Sequence, residues 1–245
     1  AFDVFSVNDS VSASDGGSFA GNIGMGGTLS VTGTATLSGN ATIGTNDGDT
    51  RFHLNSANQY TMKFSNAGNV SGHIGGGGSD ILRFSNAAGA TIMEMNAGQI
   101  TMPLQPAFLV TPSAAQNNIA VGSQVDIVFG NEVYDVGSNF ASNAFTAPVT
   151  GKYQLNGRVR LGAVHQPSAY YTMRITTSNR VYEQIFDSNE NSNGNLDYHP
   201  FEISVVADMD ASDTAKIQIF QNSGTQETDI EAGTDNTQFS GFLAC

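Results

Sequence analysis

Alternating apolar and polar residues predict a long strand that begins at Gly151. From there the chain reads Gly-Lys-Tyr-Gln-Leu-Asn-Gly-Arg-Val-Arg-Leu, with Tyr153, Leu155, Val159 and Leu161 on one parity and polar residues on the other. A period of two indicates a strand that buries one face and exposes the other. Similar patterns predict further strands: Ala107–Thr111, Gln124–Phe129, Phe145–Pro148, Lys152–Leu161, Tyr170–Thr176, Arg180–Phe186, Phe201–Ala207, Ala215–Gln221 and Thr237–Ala244. This succession, without helical periodicity, predicts a two-sheet jelly roll.

A glycine repeat precedes these strands. Glycines recur at Gly27, Gly33, Gly39 and Gly44, with small apolar residues alternating with Ser and Thr between them. One such repeat is too small to bury its own apolar face, so repeats must stack along the chain or wrap around partner chains. A collagen stalk is excluded, because it requires Gly at every third residue.

A second, longer repeat follows the first. Residues 63–67 read Lys-Phe-Ser-Asn-Ala and residues 83–87 read Arg-Phe-Ser-Asn-Ala. The glycine run Gly75–Gly78 between them is not a phosphate-binding loop, because it lacks the Lys and Ser/Thr of that motif and no helical pattern follows. We therefore interpret residues 27–102 as a repetitive β-shaft.

The predicted domain organisation has four parts. Residues 1–26 are an N-terminal connector or docking segment, and residues 27–102 are the β-shaft. Pro103 and Pro106 stiffen a linker over residues 103–106. Residues 107–245 then form a jelly-roll knob.

The knob resembles the complement/tumour-necrosis-factor-like jelly rolls. The resemblance rests on a Phe-x-Asn element, a glycine turn and an aromatic, followed by Phe-x-Ala-Pro-x-x-Gly-x-Tyr and a closing Phe-x-Gly-Phe-Leu strand. The matching residues are Phe129, Asn131, Gly137, Phe140, Phe145, Ala147, Pro148, Gly151, Tyr153, Phe239, Gly241, Phe242 and Leu243. This resemblance implies a compact homotrimer but no particular activity, since function depends on sites rather than folds. Phe242 and Leu243 are expected to contribute to the core that sets the trimer register.

A glycine-punctuated shaft followed by a small jelly roll resembles the tail and head fibres of bacteriophages. That resemblance implies a homotrimeric fibre on the virion surface, with the N-terminal segment bound to other virion proteins. The knob would bind a host cell-surface glycan or protein. Two alternatives stay open: a secreted, lectin-like adhesin of the same fold, and a decoration protein whose knob only trimerises.

Charge and composition narrow the range of partners. The chain has 22 acidic and 9 basic residues, a formal net charge of -13. Nucleic acid and anionic membrane surfaces are therefore disfavoured. No apolar run approaches the ~20 residues that span a bilayer, which argues against membrane insertion, and no signal peptide is visible. The single cysteine, Cys245, rules out an intrachain disulfide and predicts a free thiol.

Two polar stretches are candidates for receptor contact. The first is the loop 187–197, an expected solvated hairpin loop, with the neighbouring Tyr170; the second is an acidic line that alternates with Thr228, Ile230 and Ala232. The candidate contacts are Asp187, Glu190, Asn193, Asp197, Tyr170, Glu227, Asp229 and Glu231. The acidic line fits either a solvated strand face or a receptor-contact ridge.

The acidic loops are also the candidate positions for a calcium ion. The loop 187–197 departs from a calcium loop, because its sixth position is Ser192 and its twelfth is Tyr198. A structural calcium ion stays open there, at 208–213 or on a trimer axis, and no other cofactor is expected. The four histidines are scattered, and no Gly-x-Ser-x-Gly elbow or nucleotide fingerprint is present. We interpret the protein as non-enzymatic, with no catalytic, cofactor-binding or metal-binding residue assigned.

Overall fold

A computed structural model describes residues 62–67, 69–76, 81–191 and 193–245. The predicted connector 1–26 and the glycine repeat 27–44 lie outside the described residues. A first group of strands comprises β1 (Met62–Asn66), β2 (Asn69–Gly76), β3 (Ile81–Asn86), β4 (Thr91–Asn96) and β5 (Gln99–Thr101). They form an antiparallel five-stranded sheet in the order β1-β2-β3-β4-β5, called sheet I here. The two longer repeats fall on β1 and β3, so both copies are strands, as predicted.

Residues from Ala107 onwards form the remaining elements. These are β6 (Ala107–Thr111), β7 (Gln124–Asp126), β8 (Asn131–Val136), β9 (Phe140–Ala141), β10 (Ala144–Thr146), β11 (Gly151–Val164), β12 (Tyr170–Thr177), β13 (Val181–Phe186), α1 (Ser188–Asn191), β14 (Leu196–Met209), β15 (Thr214–Asn222), β16 (Asp229–Ile230) and β17 (Gln238–Leu243). Sheet II has the order β13-β12-β15-β10-β9, with β7 paired to β15. Sheet III has the order β14-β11-β17-β6-β8, with β16 paired to β11.

The chain crosses repeatedly between sheets II and III. Strands β10, β12 and β15 belong to sheet II, whereas β11, β14 and β17 belong to sheet III. Strands that follow one another in the sequence therefore often belong to opposite sheets and pair with distant strands, which distinguishes a jelly roll from a meander. The predicted fold class, all-β with a C-terminal two-sheet jelly roll, is confirmed.

The hydrophobic core lies between sheets II and III. Sheet III contributes the buried parity of β11, including Tyr153 and Leu155, and sheet II contributes Met173, Ile217 and others. Phe108 is fully buried and its ring centroid lies 4.6 Å from that of Phe145. The alternation that predicted β11 is thus the alternation of core-facing and outward-facing residues.

Gly241 shows why the closing strand carries a glycine. A Cβ at this position would lie 2.8 Å from both Leu155 Cδ2 and Phe108 Cε1, closer than side chains pack. The glycine therefore lets β17 approach its neighbours in the core. The signature residues Phe145, Tyr153 and Phe239 are fully buried in the same core.

Some expectations about the knob were wrong. Phe242 does not contribute to the core of its own chain: it alternates with the buried Phe239 and Gly241 and is 46% exposed. The strand Asn131–Val136 was missed, and β14 begins at Leu196, five residues earlier than predicted. The connection between β13 and β14 contains the short helix Ser188–Asn191 instead of a plain hairpin loop.

Candidate functional site

Three connections meet at one end of the jelly roll. They are residues 165–169 between β11 and β12, residues 187–195 between β13 and β14, and residues 223–228 between β15 and β16. We call this set the loop platform; residue 192 is not described. Hydrogen bonds join all three connections to one another, so the platform is a single structural unit.

The hydroxyl group of Tyr171 is the first anchor of the platform. Tyr171 is fully buried, and its hydroxyl shares a hydrogen bond of 2.8 Å with Thr228 Oγ1. It also accepts hydrogen bonds from the backbone N–H of His165 at 3.0 Å and from Ser168 Oγ at 3.2 Å. Burying a phenol hydroxyl is costly unless it is hydrogen-bonded, and here the bonds hold two connections in place.

The amide group of Gln221 is the second anchor. Its side chain is fully buried at the end of β15. Nε2 donates hydrogen bonds to Ser168 Oγ at 3.0 Å and to the backbone oxygens of Ser223 at 3.2 Å and Thr225 at 2.9 Å. Two connections of the platform are therefore attached to one buried side chain.

The helical connection is attached through its first turn and its last residue. Ser188 is buried, and its Oγ donates a hydrogen bond of 2.7 Å to the backbone oxygen of Ser168. Asp187 Oδ1 accepts from the backbone N–H of Glu190 at 3.1 Å, as a helix-capping residue does. Asn195 bridges outward, because its Oδ1 accepts from Gln166 N at 3.0 Å and its Nδ2 donates to Glu227 Oε1 at 2.9 Å.

A tight turn brings the third connection against His165. Ser223 and Gly224 have φ values of 62° and 87°, in the left-handed region that favours glycine. The backbone N–H of Thr225 then donates to His165 Nδ1 at 3.3 Å. A Cβ on Gly224 would clash with the same imidazole nitrogen, so close packing also requires glycine there.

The predicted acidic line keeps its alternation, and each carboxylate lies in a different environment. Thr228 and Ile230 are fully buried, so Glu227, Asp229 and Glu231 point to the other side. Glu227 binds the Asn195 amide, whereas Asp229 Oδ1 accepts a hydrogen bond of 2.7 Å from Asn118 N. Glu231 lies against Gly162 on β11. Only Glu227 thus belongs to the loop platform.

The other predicted contacts divide between the platform and its border. Glu190 and Asn193 are exposed on the platform, and Asp197 is exposed at the start of β14. Tyr170 lies on the outer side of sheet II, where its ring centroid is 5.9 Å from that of Phe220. The structure therefore brings Asp187, Glu190, Asn193 and Glu227 together, and places Asp229 and Glu231 beyond them.

Sequence reasoning missed the residues that hold the platform together. Ser168, Tyr171, Gln221 and Thr228 are polar and buried, and they come from separate parts of the sequence. One signal was available: of two adjacent tyrosines in a strand, one must point inward.

The described residues contain no group of three or more His, Cys, Asp or Glu side chains able to hold a metal ion. At the end of the jelly roll opposite the platform, Asp208 instead pairs with Arg180, with Oδ1 and Oδ2 each 3.0 Å from a guanidinium nitrogen. Hydrogen bonding from Arg180 lowers the pKa of Asp208 to about 2. Asp213 Oδ2 accepts from the backbone N–H of Asp210 at 2.8 Å, which closes the turn before β15.

The outer face of sheet III is a second surface of interest. Two uncharged rows of directly paired residues lie between the charged pairs Lys152–Asp208 and Arg158–Glu202. The rows are Val206, Gln154, Phe242, Ala107 and Val136, then Ser204, Asn156, Ser240, Leu109 and Tyr134. Val206 and Tyr134 are 59% and 48% exposed. Gln154 Nε2 donates to Ser204 Oγ at 2.9 Å, and Ser204 Oγ donates to Asn156 Oδ1 at 2.8 Å. These rows combine exposed apolar groups with a preformed polar network.

Comparisons with known proteins gave structural neighbours only. No protein-family model matches the chain. No curated protein matches it significantly. Among solved structures, the globular domain of zebrafish complement 1qA protein is similar, with a TM-score of 0.41, 18% identity, and coverage of 58% of this chain and 98% of that one. Murine APRIL at pH 8.0 is similar with a TM-score of 0.42 and 12% identity, covering 57% and 98% of the two chains.

The single helix of the described residues is four residues long. In that part of the chain, no helix has the length and apolar character needed to cross a membrane.

Proposed function

We propose that this protein is a homotrimeric, non-enzymatic recognition protein whose jelly roll binds a host cell-surface glycan or protein through the loop platform. The observation that carries this proposal is the buried network of Tyr171 and Gln221. It fixes the connections 165–169 and 223–228 from below, and Ser188 attaches the third connection to Ser168. Glu190 and Asn193 stay exposed above. Rigid scaffolds that position surface loops are the usual basis of recognition sites.

The outer face of sheet III supports the homotrimer. In a chain with a formal charge of -13, association through charged surfaces is opposed by repulsion between copies. The two rows that include Val206, Phe242 and Tyr134 contain no charged residue. Contacts between copies are stabilised when apolar groups that are exposed in the single chain become buried. A closed symmetric assembly uses the same surfaces in every copy.

The order of parts along the chain supports a fibre. Glycine-punctuated repeats and then sheet I precede the jelly roll, as a stalk precedes a binding head. In this proposal the protein is a fibre of a virus particle, a bacteriophage tail or head fibre, and residues 1–26 attach it to other virion proteins. Three platforms on one stalk bind a surface with avidity, so each single contact needs only modest affinity.

The charge of the platform limits the class of receptor. Asp187, Glu190, Asp197 and Glu227 lie on it or at its border, and all four are acidic. A polyanionic receptor would be repelled, whereas a neutral glycan or a basic protein surface would be attracted or tolerated. Hydroxyl-rich sugars also match the exposed amides of Asn193 and Asn195, which both donate and accept hydrogen bonds.

The test is glycan-array binding and blocking of virus adsorption with the full chain. We expect the double variant Asn193→Ala/Asp197→Ala to weaken binding at least tenfold, while its mass in light scattering stays three times 25.6 kDa. The matched control is Asp210→Ala, an exposed carboxylate at the opposite end. Equal loss in the control would overturn the platform as the binding site. Adsorption that the trimer never blocks, with no glycan bound, would favour a purely trimerising protein.

A further inference from the structure

Sheet I has one apolar side. Residues paired directly across strands point to the same side of a sheet. Met62 pairs with Ile74, Ile74 with Phe84, and Phe84 with Met93, which makes one row. The neighbouring row runs from Leu82 through Met95 to Ile100.

The opposite side of sheet I carries its charged residues, with Ile81 beside them. Its rows contain Lys63 paired with His73, and Arg83 paired with Glu94. Arg83 Nε donates a hydrogen bond of 2.6 Å to Glu94 Oε2. In the described part of sheet I, every charged side chain lies on this polar side, so the sheet is amphipathic.

The apolar side is exposed in the single chain. Phe64, Leu82 and Ile100 are 46%, 39% and 61% exposed. A monomeric protein rarely exposes a contiguous apolar patch of several hundred Å² without a partner for it. The exposed side is therefore the one that a binding partner covers.

We propose that the apolar side of sheet I is covered by the same side of sister copies of this chain. This rests on the proposed function, because the sister copies are those of the proposed homotrimer. A face without charge is the surface on which copies of a strongly acidic chain meet without repulsion. The face also places large side chains beside glycines, since Phe64 pairs with Gly72 and Leu82 pairs with Gly76 on the neighbouring strand.

The apolar surface continues from sheet I to the jelly roll. A cavity of about 570 Å³ is lined by Met102, which follows β5 with the parity of Ile100, and Leu104 on one side and by Val136 and Leu243 on the other. Val136 also belongs to the outer face of sheet III, through its pairing with Ala107. One interface between sister copies can thus extend over both sheets.

The size of the face explains why both sheets are needed. Five strands about 4.8 Å apart and about 20 Å long give a face of about 480 Å² per copy. A stable interface buries about 800 Å² per partner. Sheet I is too small alone, and the outer face of sheet III supplies the remaining area.

Cysteine crosslinking of the full chain tests this arrangement in a Cys245→Ser background. Ile100→Cys and Leu82→Cys place a thiol on the apolar side, and Gln99→Cys is the matched control on the polar side of the same strand. Ser240→Cys reports separately on the outer face of sheet III. With a short bis-maleimide, we expect covalent dimers from Ile100→Cys, Leu82→Cys and Ser240→Cys, and at least tenfold less from Gln99→Cys.

Each result separates the two proposals. A trimer in which Ser240→Cys crosslinks but Ile100→Cys and Leu82→Cys do not would overturn this inference and leave the jelly-roll trimer standing. If the thiols at those positions neither crosslink nor react with a small maleimide, residues of the same chain cover the face. That result would also overturn the inference. Crosslinking at Ile100→Cys without any at Ser240→Cys would support contact between sister copies at sheet I but overturn a single interface that extends over both sheets. A monomeric mass would overturn both.

Discussion

The hydroxyl oxygens of Tyr171 and Thr228 lie 2.8 Å apart in the interior, although the two residues are 57 positions apart in the sequence. Tyr171 belongs to β12 of sheet II, and Thr228 precedes β16 of sheet III. Their hydrogen bond thus joins the two sheets at the end that carries the loop platform. The stability of the fold and the geometry of the platform are therefore linked at this point.

Replacement of the Tyr171 hydroxyl should destabilise the protein and loosen the platform. Tyr171→Phe keeps the ring but leaves Thr228 Oγ1 and Ser168 Oγ with fewer partners in a buried site. Loss of a buried hydrogen-bond partner costs about 1–3 kcal/mol. Urea unfolding measures that cost, and amide hydrogen exchange should show faster exchange in residues 223–228.

The control for this change is Tyr182→Phe. Tyr182 is half-buried on β13, away from the platform. Its unfolding free energy should stay within about 0.5 kcal/mol of the wild type. Equal destabilisation by both variants would show that the Tyr171 network has no special role.

The turn at Gly224 should tolerate no side chain. Gly224→Ala places a Cβ at φ 87° and against His165 Nδ1, so both the backbone and the packing are strained. Substitution of a glycine with positive φ costs about 1 kcal/mol or more. Gly194→Ala is the matched control, because it lies on the same platform with nothing within 4 Å of the added Cβ. Thermal unfolding of both variants should show a lower Tm for Gly224→Ala alone.

The fold was largely predictable because most strands bury one face. The strand Ala107–Thr111 has the predicted bounds, and β11 extends the predicted alternation by a few residues. The strand Asn131–Val136 was missed for the converse reason. It is the edge of sheet III, and its first four residues are exposed, so apolar and polar positions do not alternate by burial. An edge strand that is exposed to solvent on both faces shows little alternation of apolar and polar residues.

The platform was predictable only in its outer part. The composition of residues 187–197 predicts an exposed loop, because exposed loops are rich in Asp, Asn, Ser and Gly. Its attachment to Ser168, which Gln221 also binds, depends on which strands become neighbours across the two sheets. Local sequence does not contain that information, since Ser168 and Gln221 are 53 positions apart.

Two phenylalanines on β17 should give opposite results. Phe239 is fully buried, and its ring centroid is 4.9 Å from that of Phe108, whereas Phe242 is exposed on the outer face. Phe239→Ala should lower the unfolding free energy by about 3–5 kcal/mol, the usual cost of such a core truncation. Phe242→Ala should instead weaken the trimer, seen as a lower mass in light scattering at low protein concentration. A core-sized loss from Phe242→Ala in a monomer would contradict this assignment of faces.

Acid should weaken the ion pair between Asp208 and Arg180. The pKa of Asp208 is lowered from 3.8 to about 2 by hydrogen bonding from Arg180. A carboxylate with a lowered folded-state pKa contributes stability that is present above about pH 4 and is lost as the pH falls towards 2. Asp208→Asn should therefore reduce the difference in unfolding free energy between pH 5 and pH 2.5. An unchanged difference would show that the pair contributes nothing, as many exposed pairs do.

His199 should make the jelly roll sensitive to mild acid. Its ring centroid lies 3.6 Å from that of Phe186 and 4.9 Å from that of Phe201, so it is packed between apolar rings where β13 and β14 approach. Burial lowers the pKa of His199 below its ordinary value of 6.5, because the charged imidazolium loses hydration there. The unfolded chain then binds the proton more tightly than the folded one, and stability is lost as the pH falls below about 6.5.

Replacing the imidazole with a ring that does not titrate isolates this effect. His199→Phe keeps an aromatic ring between Phe186 and Phe201, so its unfolding free energy at pH 8 should stay close to that of the wild type. Between pH 7 and pH 5 the wild type should lose more stability than the variant, and NMR titration should give His199 a pKa under 6.5. A pKa at or above 6.5 would mean that the folded state binds the proton at least as tightly as the unfolded state. The packing of His199 between β13 and β14 would then gain stability in mild acid instead of losing it.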